Sequence, residues 1–261
     1  MGIRDLNSIL ITGGSFGLGF EMARRFVDRG FTVFVCGRSQ NKLDSAVAAC
    51  PALLPIQADI TDGDDRNKIF DTIEAKGSPL EILINNAAVC YAHDYANPFT
   101  LAEDRALTEI ETNFHAPVEL CRLFLKRRNS EREGVIVNVS TPGAFFALEA
   151  NPLYTASKAG FHNFTLALAQ HLRETNVKVL EIFPPALATG LTAELEVDAE
   201  DDNGPEALQS VAEKSVEGVL AGEPCILPHE QSAALVESMG GTGKVFTMDM
   251  VGVRRKAGWD R

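Results

Sequence analysis

The stretch SILITGGSFGLGFEMA, residues 8–23, decides the fold. Its first five residues form a short apolar run typical of a buried strand, its glycines predict a tight turn, and the residues from 17 onward have helical periodicity. A strand, a glycine-rich turn and a helix in this order make the first half of a βαβ unit. If the same order recurs along the chain, a parallel sheet is expected.

The alternation of apolar runs and helical segments does recur. Runs rich in Val, Ile and Leu predict strands at 8–12, 32–36, 53–58, 81–86, 134–140 and 177–183. Helical periodicity predicts helices at 17–29, 40–48, 63–75, 102–128, 153–174 and 205–220. Strands that are apolar on both faces indicate a sheet covered on both sides. The sequence therefore predicts a Rossmann-type, doubly wound α/β fold with a mostly parallel sheet, as a single domain over residues 1–261.

Composition narrows the possible partners. The 261 residues, 45% of them apolar, suit one large domain with a buried core, and the net charge of -12 would repel nucleic acid and anionic lipid. The five cysteines form no Cys-x-x-Cys pair, so we expect no metal site, and reduced thiols suit the cytoplasm. No apolar run reaches membrane-span length, and we find no signal-peptide pattern. We expect a cytoplasmic protein with a small-molecule partner.

The glycine turn, T-G-x-x-x-G-x-G from Thr12 to Gly19, is suited to binding phosphate. Residues without a Cβ let backbone N–H groups approach a ligand, and the N-terminus of the following helix adds partial positive charge. A dinucleotide is the expected ligand. The alternative is that the glycines only allow close packing of strand and helix. Their spacing differs from the common G-x-G-x-x-G dinucleotide fingerprint.

Basic residues follow the second predicted strand. Arg38 comes directly after Gly37, and Lys42 comes one helical turn later, whereas a site that selects NAD usually has an acid here to bind the ribose hydroxyls. The two positive charges match a ribose 2'-phosphate. We therefore predict that NADP(H) is favoured over NAD(H). The alternative is that both side chains are solvated at the start of a helix.

Further motifs form an ordered set with the glycine turn. They are Asp59 after the third predicted strand, Asn85-Asn86-Ala87-Ala88 after the fourth, Asn113 in a helix, Ser140-Thr141 after the fifth strand, Tyr154-x-x-x-Lys158 in a helix, and Pro184-Pro185-x-x-x-Thr189 after the sixth strand. With this set the chain resembles the short-chain dehydrogenases/reductases, from about Ser8 to Leu191. The Pro-Pro pair and the stretch YTASKAGFHNFTLALAQHL are similar to a bacterial subgroup, the DltE-like oxidoreductases.

The resemblance implies a set of cofactor contacts. They would come from Gly13, Ser15, Phe16, Gly17, Leu18, Gly19, Arg38, Asp59, Ile60, Asn86, Ala87, Tyr154, Lys158, Pro184, Leu187 and Thr189. Asp59 would meet the adenine, Asn86 would line the cleft, and Leu187 and Thr189 would contact the nicotinamide end. Taken singly, Asp59 also fits a helix N-cap, and the paired asparagines fit a turn after a strand.

Tyr154 and Lys158 form the expected acid/base pair. Hydride transfer to a carbonyl leaves negative charge on oxygen, so the site needs a proton donor there. Tyrosine has an ordinary pKa of about 10, and a lysine one turn away would lower it. The resemblance implies that Lys158 also holds the nicotinamide ribose and that Asn113 fixes a water in a proton relay. The alternative is a core tyrosine beside a solvated lysine.

A hydroxyl that orients the substrate is expected after the fifth predicted strand. The family usually has two serines here, the second one catalytic, whereas this chain has Ser140-Thr141. Counting from Asn138 or back from Tyr154 selects Thr141, and counting from Gly143 selects Ser140. Threonine donates the same hydrogen bond, but its methyl restricts the rotamer. We prefer Thr141 and keep Ser140 in reserve.

The expected function is an NADP(H)-dependent oxidoreductase that interconverts a carbonyl and a secondary alcohol. A rival is a non-catalytic dinucleotide-binding sensor or scaffold protein, which the threonine at 141 slightly favours. An apolar or aromatic substrate is suggested by residues after the strands, and packing of loops is the alternative. These residues are Cys90, Tyr91, His93, Tyr95, Phe145, Phe146 and Leu191 to Leu195.

Three further segments carry expectations. Residues 190–220 are predicted to include a substrate lid, whose acidic stretch at 194–206 would disfavour anionic substrates. The tail at 239–261 is predicted to be irregular. Helices at 102–128 and 153–174 commonly pair between subunits in the family, so the resemblance implies a homodimer or homotetramer.

Overall fold

A parallel sheet of seven strands forms the centre of the molecule. The computed structural model describes residues 2–77, 79–97, 103–192 and 204–239. The strands are β1 Ser8–Thr12, β2 Thr32–Gly37, β3 Leu54–Gln57, β4 Ile82–Asn85, β5 Gly134–Val139, β6 Val177–Ile182 and β7 Cys225–Ile226. Their spatial order is β3-β2-β1-β4-β5-β6-β7, and each neighbouring pair is parallel. This architecture confirms the doubly wound α/β prediction.

Helices cover both faces of the sheet. They are α1 Gly17–Asp28, α2 Gln40–Ala49, α3 Gly63–Ala75, α4 Glu103–Ile110, α5 Ala116–Arg127, α6 Pro152–Leu172, α7 Pro205–Ala221 and α8 Glu230–Ser238. Ile9 and Ile11 pack with Phe26 of α1 on one face, whereas Leu10 packs with Phe124 of α5 on the other. Successive residues of a strand point to opposite faces. Since both faces are buried, the strands are apolar at nearly every position.

The helix predicted at 102–128 is interrupted. A π-helical turn, Glu111–His115, separates α4 from α5, and the Ala116 N–H bonds to the Glu111 carbonyl. Pro117 explains the interruption, because it has no N–H to donate to the carbonyl of Asn113 as a regular helix would require. The single helix was therefore a wrong prediction, and the break falls on a residue expected in the site.

Two short elements escaped prediction. Strand β7 is two residues long and pairs with Glu181 and Ile182 of β6. Helix α8 begins after His229, whose ring accepts a hydrogen bond from the Gln231 N–H. Neither a two-residue strand nor a histidine cap gives a periodic or capping signal that stands out in the sequence.

The predicted lid region is only partly described. Gly190–Thr192 forms a 3-10 turn, and α7 packs against α1, where Arg25 Nε donates to Glu213 Oε2 at 3.0 Å. Residues 193–203, which hold most of the acidic stretch, and 240–261 of the tail lie outside the described residues. Within the described ranges, no helix is long and apolar enough to cross a bilayer.

Candidate active site

The glycine turn between β1 and α1 is pressed against the exit of β4. Gly13 and Gly17 have φ of +64° and +57°, a region that favours glycine. A Cβ at Gly13 would lie 2.9 Å from Ala87 Cα, and one at Gly19 would lie 2.4 Å from Asn86 Nδ2. The turn therefore has no room for a side chain at Gly13 or Gly19.

Hydrogen bonds join the carboxyl ends of the central strands. Thr12 Oγ1 accepts from the N–H groups of Asn86 and Ala87, both at 3.0 Å, and Asn86 Nδ2 donates to the Thr12 carbonyl at 2.9 Å. Asn85 Nδ2 donates to Asn138 Oδ1 at 2.9 Å, which ties β4 to β5. The strand order reverses between β1 and β4, where a crevice forms in open α/β sheets.

A cavity of about 650 Å³ occupies this crevice. Every cofactor residue predicted from the sequence lines it: Gly13, Ser15, Phe16, Gly17, Leu18, Gly19, Arg38, Asp59, Ile60, Asn86, Ala87, Tyr154, Lys158, Pro184, Leu187 and Thr189. The volume is in the range of small-molecule and cofactor sites. Together with a turn that has no room for a Cβ at Gly13 or Gly19 and the N-terminus of α1 behind it, these residues fit a dinucleotide.

Basic side chains lie at the end of the cavity near β2. Arg38 and Lys42 both line it, and Lys42 Nζ lies 5.3 Å from the centre of the Phe16 ring. Residues 37–42 contain no acid. Ser39 caps α2, accepting from the Lys42 N–H at 3.4 Å. This end therefore presents two positive charges and no carboxylate from the β2 exit.

Asp59 does not cap a helix. Its Oδ1 accepts from the N–H and the hydroxyl of Thr61, at 2.9 and 2.8 Å. The N-cap of α3 is Asp62, which accepts from the N–H groups of Asp64 and Asp65. The helix-cap alternative for Asp59 is therefore wrong, and Asp59 lines the cavity instead.

Tyr154 lies in the first turn of α6 and faces the middle of the cavity. Burial raises the pKa of its phenol well above the ordinary value, and Cys90 and Glu109 raise it further. The nearby Thr141 side chain acts in the opposite direction and lowers it. In this structure Tyr154 is therefore held in its protonated form.

Lys158 is almost fully buried, and its ammonium group donates to the Val139 carbonyl at 2.8 Å. Burial lowers its pKa to about 8, and the charge of Glu181 opposes that shift. The lowering of the Tyr154 pKa by Lys158 stays a prediction from the sequence.

The two candidate hydroxyls have different surroundings. Ser140 Oγ is buried without a well-formed hydrogen bond, near enough to Glu181 to lower the pKa of that carboxyl. Thr141 Oγ1 accepts from the Gly143 N–H at 3.2 Å and lies near Tyr154. Both residues line the cavity, but Thr141 is the one beside the phenol.

Asn113 lies behind the cavity, in the π-helical turn. Its Oδ1 accepts from the Val89 N–H at 2.9 Å, and its Nδ2 donates to the Val89 carbonyl at 2.8 Å and to Ser157 Oγ at 3.2 Å. It is not among the lining residues, whereas its neighbour Thr112 is. The side chain therefore joins the loop after β4 to α6.

Comparison with known proteins identifies the family. The family model for short chain dehydrogenases matches residues 7–200. The chain belongs to the short-chain dehydrogenase/reductase family. It is thus an NAD(P)-dependent oxidoreductase, and within the family it is DltE-like: it is 37% identical over 187 residues to the uncharacterized oxidoreductase DltE of Bacillus subtilis, covering 71% of this chain and 73% of that one.

Solved structures share the fold of this dehydrogenase. A short-chain dehydrogenase from Sphingobium yanoikuyae in complex with NADPH superposes with a TM-score of 0.78 at 22% identity, covering 98% of this chain and 96% of that chain. One from Burkholderia phymatum in complex with NAD has a TM-score of 0.76 at 19% identity, with 97% of each chain covered. Relatives with this fold thus hold either dinucleotide.

The substrate end of the dehydrogenase only partly matches the sequence prediction. Cys90, Tyr91 and Leu191 line the cavity. Three others do not: His93 is bonded to Glu109, Tyr95 is 56% exposed, and Phe145 packs on the His162 ring with centroids 4.7 Å apart. Phe146 also lies outside the lining, and the side chains of 192–195 lie outside the described residues.

Several lining residues of the dehydrogenase were missed. They include Thr112, Leu148 and Asn151. Asn151 could have been found, because Asn151-Pro152 is a typical helix start and Asn151 lies three residues before Tyr154. Leu148 carried no signal, since a single leucine in a loop is ordinary.

Proposed function

We propose that this dehydrogenase interconverts a carbonyl and a secondary alcohol with NADP(H), using Tyr154 as general acid/base. One observation carries the proposal: Tyr154, Thr141 and Lys158 line the same cavity as the glycine turn and Arg38. A binding protein has no need of a buried phenol in the same cavity as a buried ammonium group. The arrangement supports catalysis over a sensor or scaffold.

The proposed roles follow from the chemistry of each side chain. A reduced nicotinamide supplies the hydride when bound. Tyr154 donates its hydroxyl proton to the substrate oxygen, and Thr141 donates a second hydrogen bond that holds this oxygen. Lys158 would hold the nicotinamide ribose and provide the positive charge that the resulting phenolate needs. Asn113 keeps the loop at Val89 in place and, we propose, fixes a water for the proton relay.

The preference for NADP(H) rests on Arg38 and Lys42. Both line the cavity beside the exit of β2, and no acid stands there to bind a ribose hydroxyl. A guanidinium pairs well with a phosphate because its planar N–H donors match the oxygens. Solved structures with this fold hold NADPH or NAD, so the proposed preference rests on these two side chains.

A binding titration tests the cofactor. NADPH and NADH are titrated into purified protein, wild type and Arg38→Asp, by nicotinamide fluorescence. We expect tighter binding of NADPH, and loss of that preference in the variant by about tenfold or more, since a charge reversal removes a charge-assisted bond. Arg173→Asp, on an exposed side chain at the end of α6, is the control and should leave both affinities unchanged.

An activity assay on the same purified protein distinguishes an enzyme from a sensor or scaffold protein. With NADPH and a panel of apolar and aromatic ketones, wild type should oxidise NADPH and Tyr154→Phe should not. Binding of NADPH without turnover of any ketone would favour the sensor or scaffold function. Absence of binding by either dinucleotide would contradict the cofactor proposal itself.

The working form is proposed to be a cytoplasmic homodimer or homotetramer acting on apolar or aromatic carbonyls. Tyr91, Leu148 and Leu191 give the substrate end apolar surface. All five cysteines are thiols rather than disulfides, which suits a reducing compartment. Helices α5 and α6 keep partly exposed apolar side chains, including Leu125 and Phe164, that a second subunit could cover.

A further inference from the structure

The loop that follows β4 is held by side chains from α4 and the π-helical turn. We call residues 89–93 the substrate loop, because Val89, Cys90 and Tyr91 line the cavity. Val89 is bonded through both its N–H and its carbonyl to Asn113. The Tyr91 N–H donates to Glu109 Oε1 at 2.9 Å. Two residues one helical turn apart thus bind alternate residues of the loop backbone.

Glu109 is a buried carboxylate with a second partner. It has no exposed surface, and its Oε2 lies 2.6 Å from Nε2 of His93, whose side chain is 3% exposed. This contact joins the carboxyl group to the imidazole ring. The backbone N–H of His93 donates to the Ala150 carbonyl at 3.0 Å, just before α6 begins. The loop is therefore tied at three points along its length.

Stability alone does not explain a buried carboxylate at this position. Taking a charge out of water is expensive, and an apolar side chain of similar size commonly serves a core as well or better. Neither His93 nor Glu109 lines the cavity, so neither contacts substrate. Their contacts lead instead to Tyr91, which lines the cavity, and to the approach to the helix that carries Tyr154.

We propose that Glu109, paired with His93, is a positioning residue that holds Tyr91 against the substrate. The inference rests on the proposed function. Tyr91, with the Arg105 guanidinium 5.0 Å from its ring centre, then forms a fixed aromatic surface for an apolar ketone.

The test is the variant Glu109→Gln, which has one acceptor oxygen where the carboxylate has two and so cannot keep both contacts, to the Tyr91 N–H and to His93, as they are. The KM for the ketone should rise by about threefold to tenfold as the loop loosens, while kcat and the Kd for NADPH stay close to the wild-type values.

Glu119→Gln is the matched control, since it makes the same chemical change in a surface pair with Arg122 on α5. It should leave KM and kcat as in wild type. A folded Glu109→Gln whose KM coincides with that of wild type would overturn the proposal.

Hydrogen exchange on the wild-type protein measures the contacts of the substrate loop without any substitution, and so does not depend on whether Glu109→Gln folds. The amides of Val89, Tyr91 and His93 should exchange slowly without any ligand, because each has a protein acceptor. Exchange as fast as in an unstructured peptide would refute the tie between loop and helix. Failure of wild type to bind NADPH would instead refute the proposed function and leave this result standing.

Discussion

Thr141 and Ser140 are adjacent residues with different neighbours in the structure. Thr141 lies near Tyr154, whereas Ser140 is buried near Glu181. We expect Thr141→Ala to lower kcat/KM by about a hundredfold, the usual effect of losing one donor at a developing oxyanion. Thr141→Ser should keep most of the activity, because the hydroxyl remains.

Steady-state kinetics with NADPH and one ketone compare these variants with Ser140→Ala, which serves as the control. That change should have only a small effect on kcat/KM. A large loss in Ser140→Ala with little loss in Thr141→Ala would reverse the assignment and make Ser140 the residue that orients the substrate.

The sequence predicts Tyr154 and Lys158 as the acid/base pair from their spacing on one helix, which is local. Their pKa shifts depend on burial and on Glu109, Cys90 and Glu181, which come from other elements. Nothing in a linear pattern shows that the Lys158 ammonium group binds the Val139 carbonyl. The electrostatics of the pair therefore could not be predicted from the sequence.

At the scale of elements, the glycine turn gives a stability prediction. In Gly19→Ala the new Cβ would lie 2.4 Å from Asn86 Nδ2 and 2.6 Å from the Gly13 carbonyl oxygen. Because one neighbour is backbone, the turn itself must shift, and the free energy of unfolding should fall by about 1–3 kcal/mol. Urea denaturation measures the change.

Gly160→Ala is the matched control for this prediction. A Cβ at Gly160, inside α6, would meet the Phe114 ring at 3.6 Å, an ordinary contact. Since alanine loses less backbone freedom than glycine in a helix, this variant should be more stable by about 0.5–1 kcal/mol. Equal effects of the two substitutions would contradict the crowding seen at Gly19.

The elements that the sequence predicted are those with a long enough apolar pattern. Six strands were predicted correctly because both faces of the sheet are buried, as Ile9 and Leu10 show, so that each strand is a run of apolar residues. Most helices were predicted from their helical periodicity. Strand β7 was too short for a pattern, and it forms because β6 offers Glu181 and Ile182 as partners. Pro117 in the sequence could have indicated the break at the π-helical turn. The consequence of the break for the site could not be predicted, because it depends on which groups the Asn113 side chain contacts.

The proposed assembly predicts that the oligomeric state depends on apolar side chains of α6. Phe164 and Leu168 lie on α6 with part of their surface exposed. Light scattering after size-exclusion chromatography should give a dimer or tetramer mass for wild type and a smaller mass for Phe164→Asp. Leu235→Asp on α8, 38% exposed, is the control and should keep the wild-type mass. A wild-type monomer would contradict the assembly.

The strand order also bears on how the chain is made. Because β1 pairs with β4, residues 8–12 gain that neighbour only after residues 82–85 have left the ribosome. The glycine turn is synthesised early, yet Pro184, Leu187 and Gly190, which line the same cavity, are synthesised much later. Parallel pairings between distant segments form slowly. A nascent chain stalled before β6 would therefore leave β5 as an unpaired edge of the sheet and bind no dinucleotide, which makes it a substrate for chaperones rather than an early form of the enzyme.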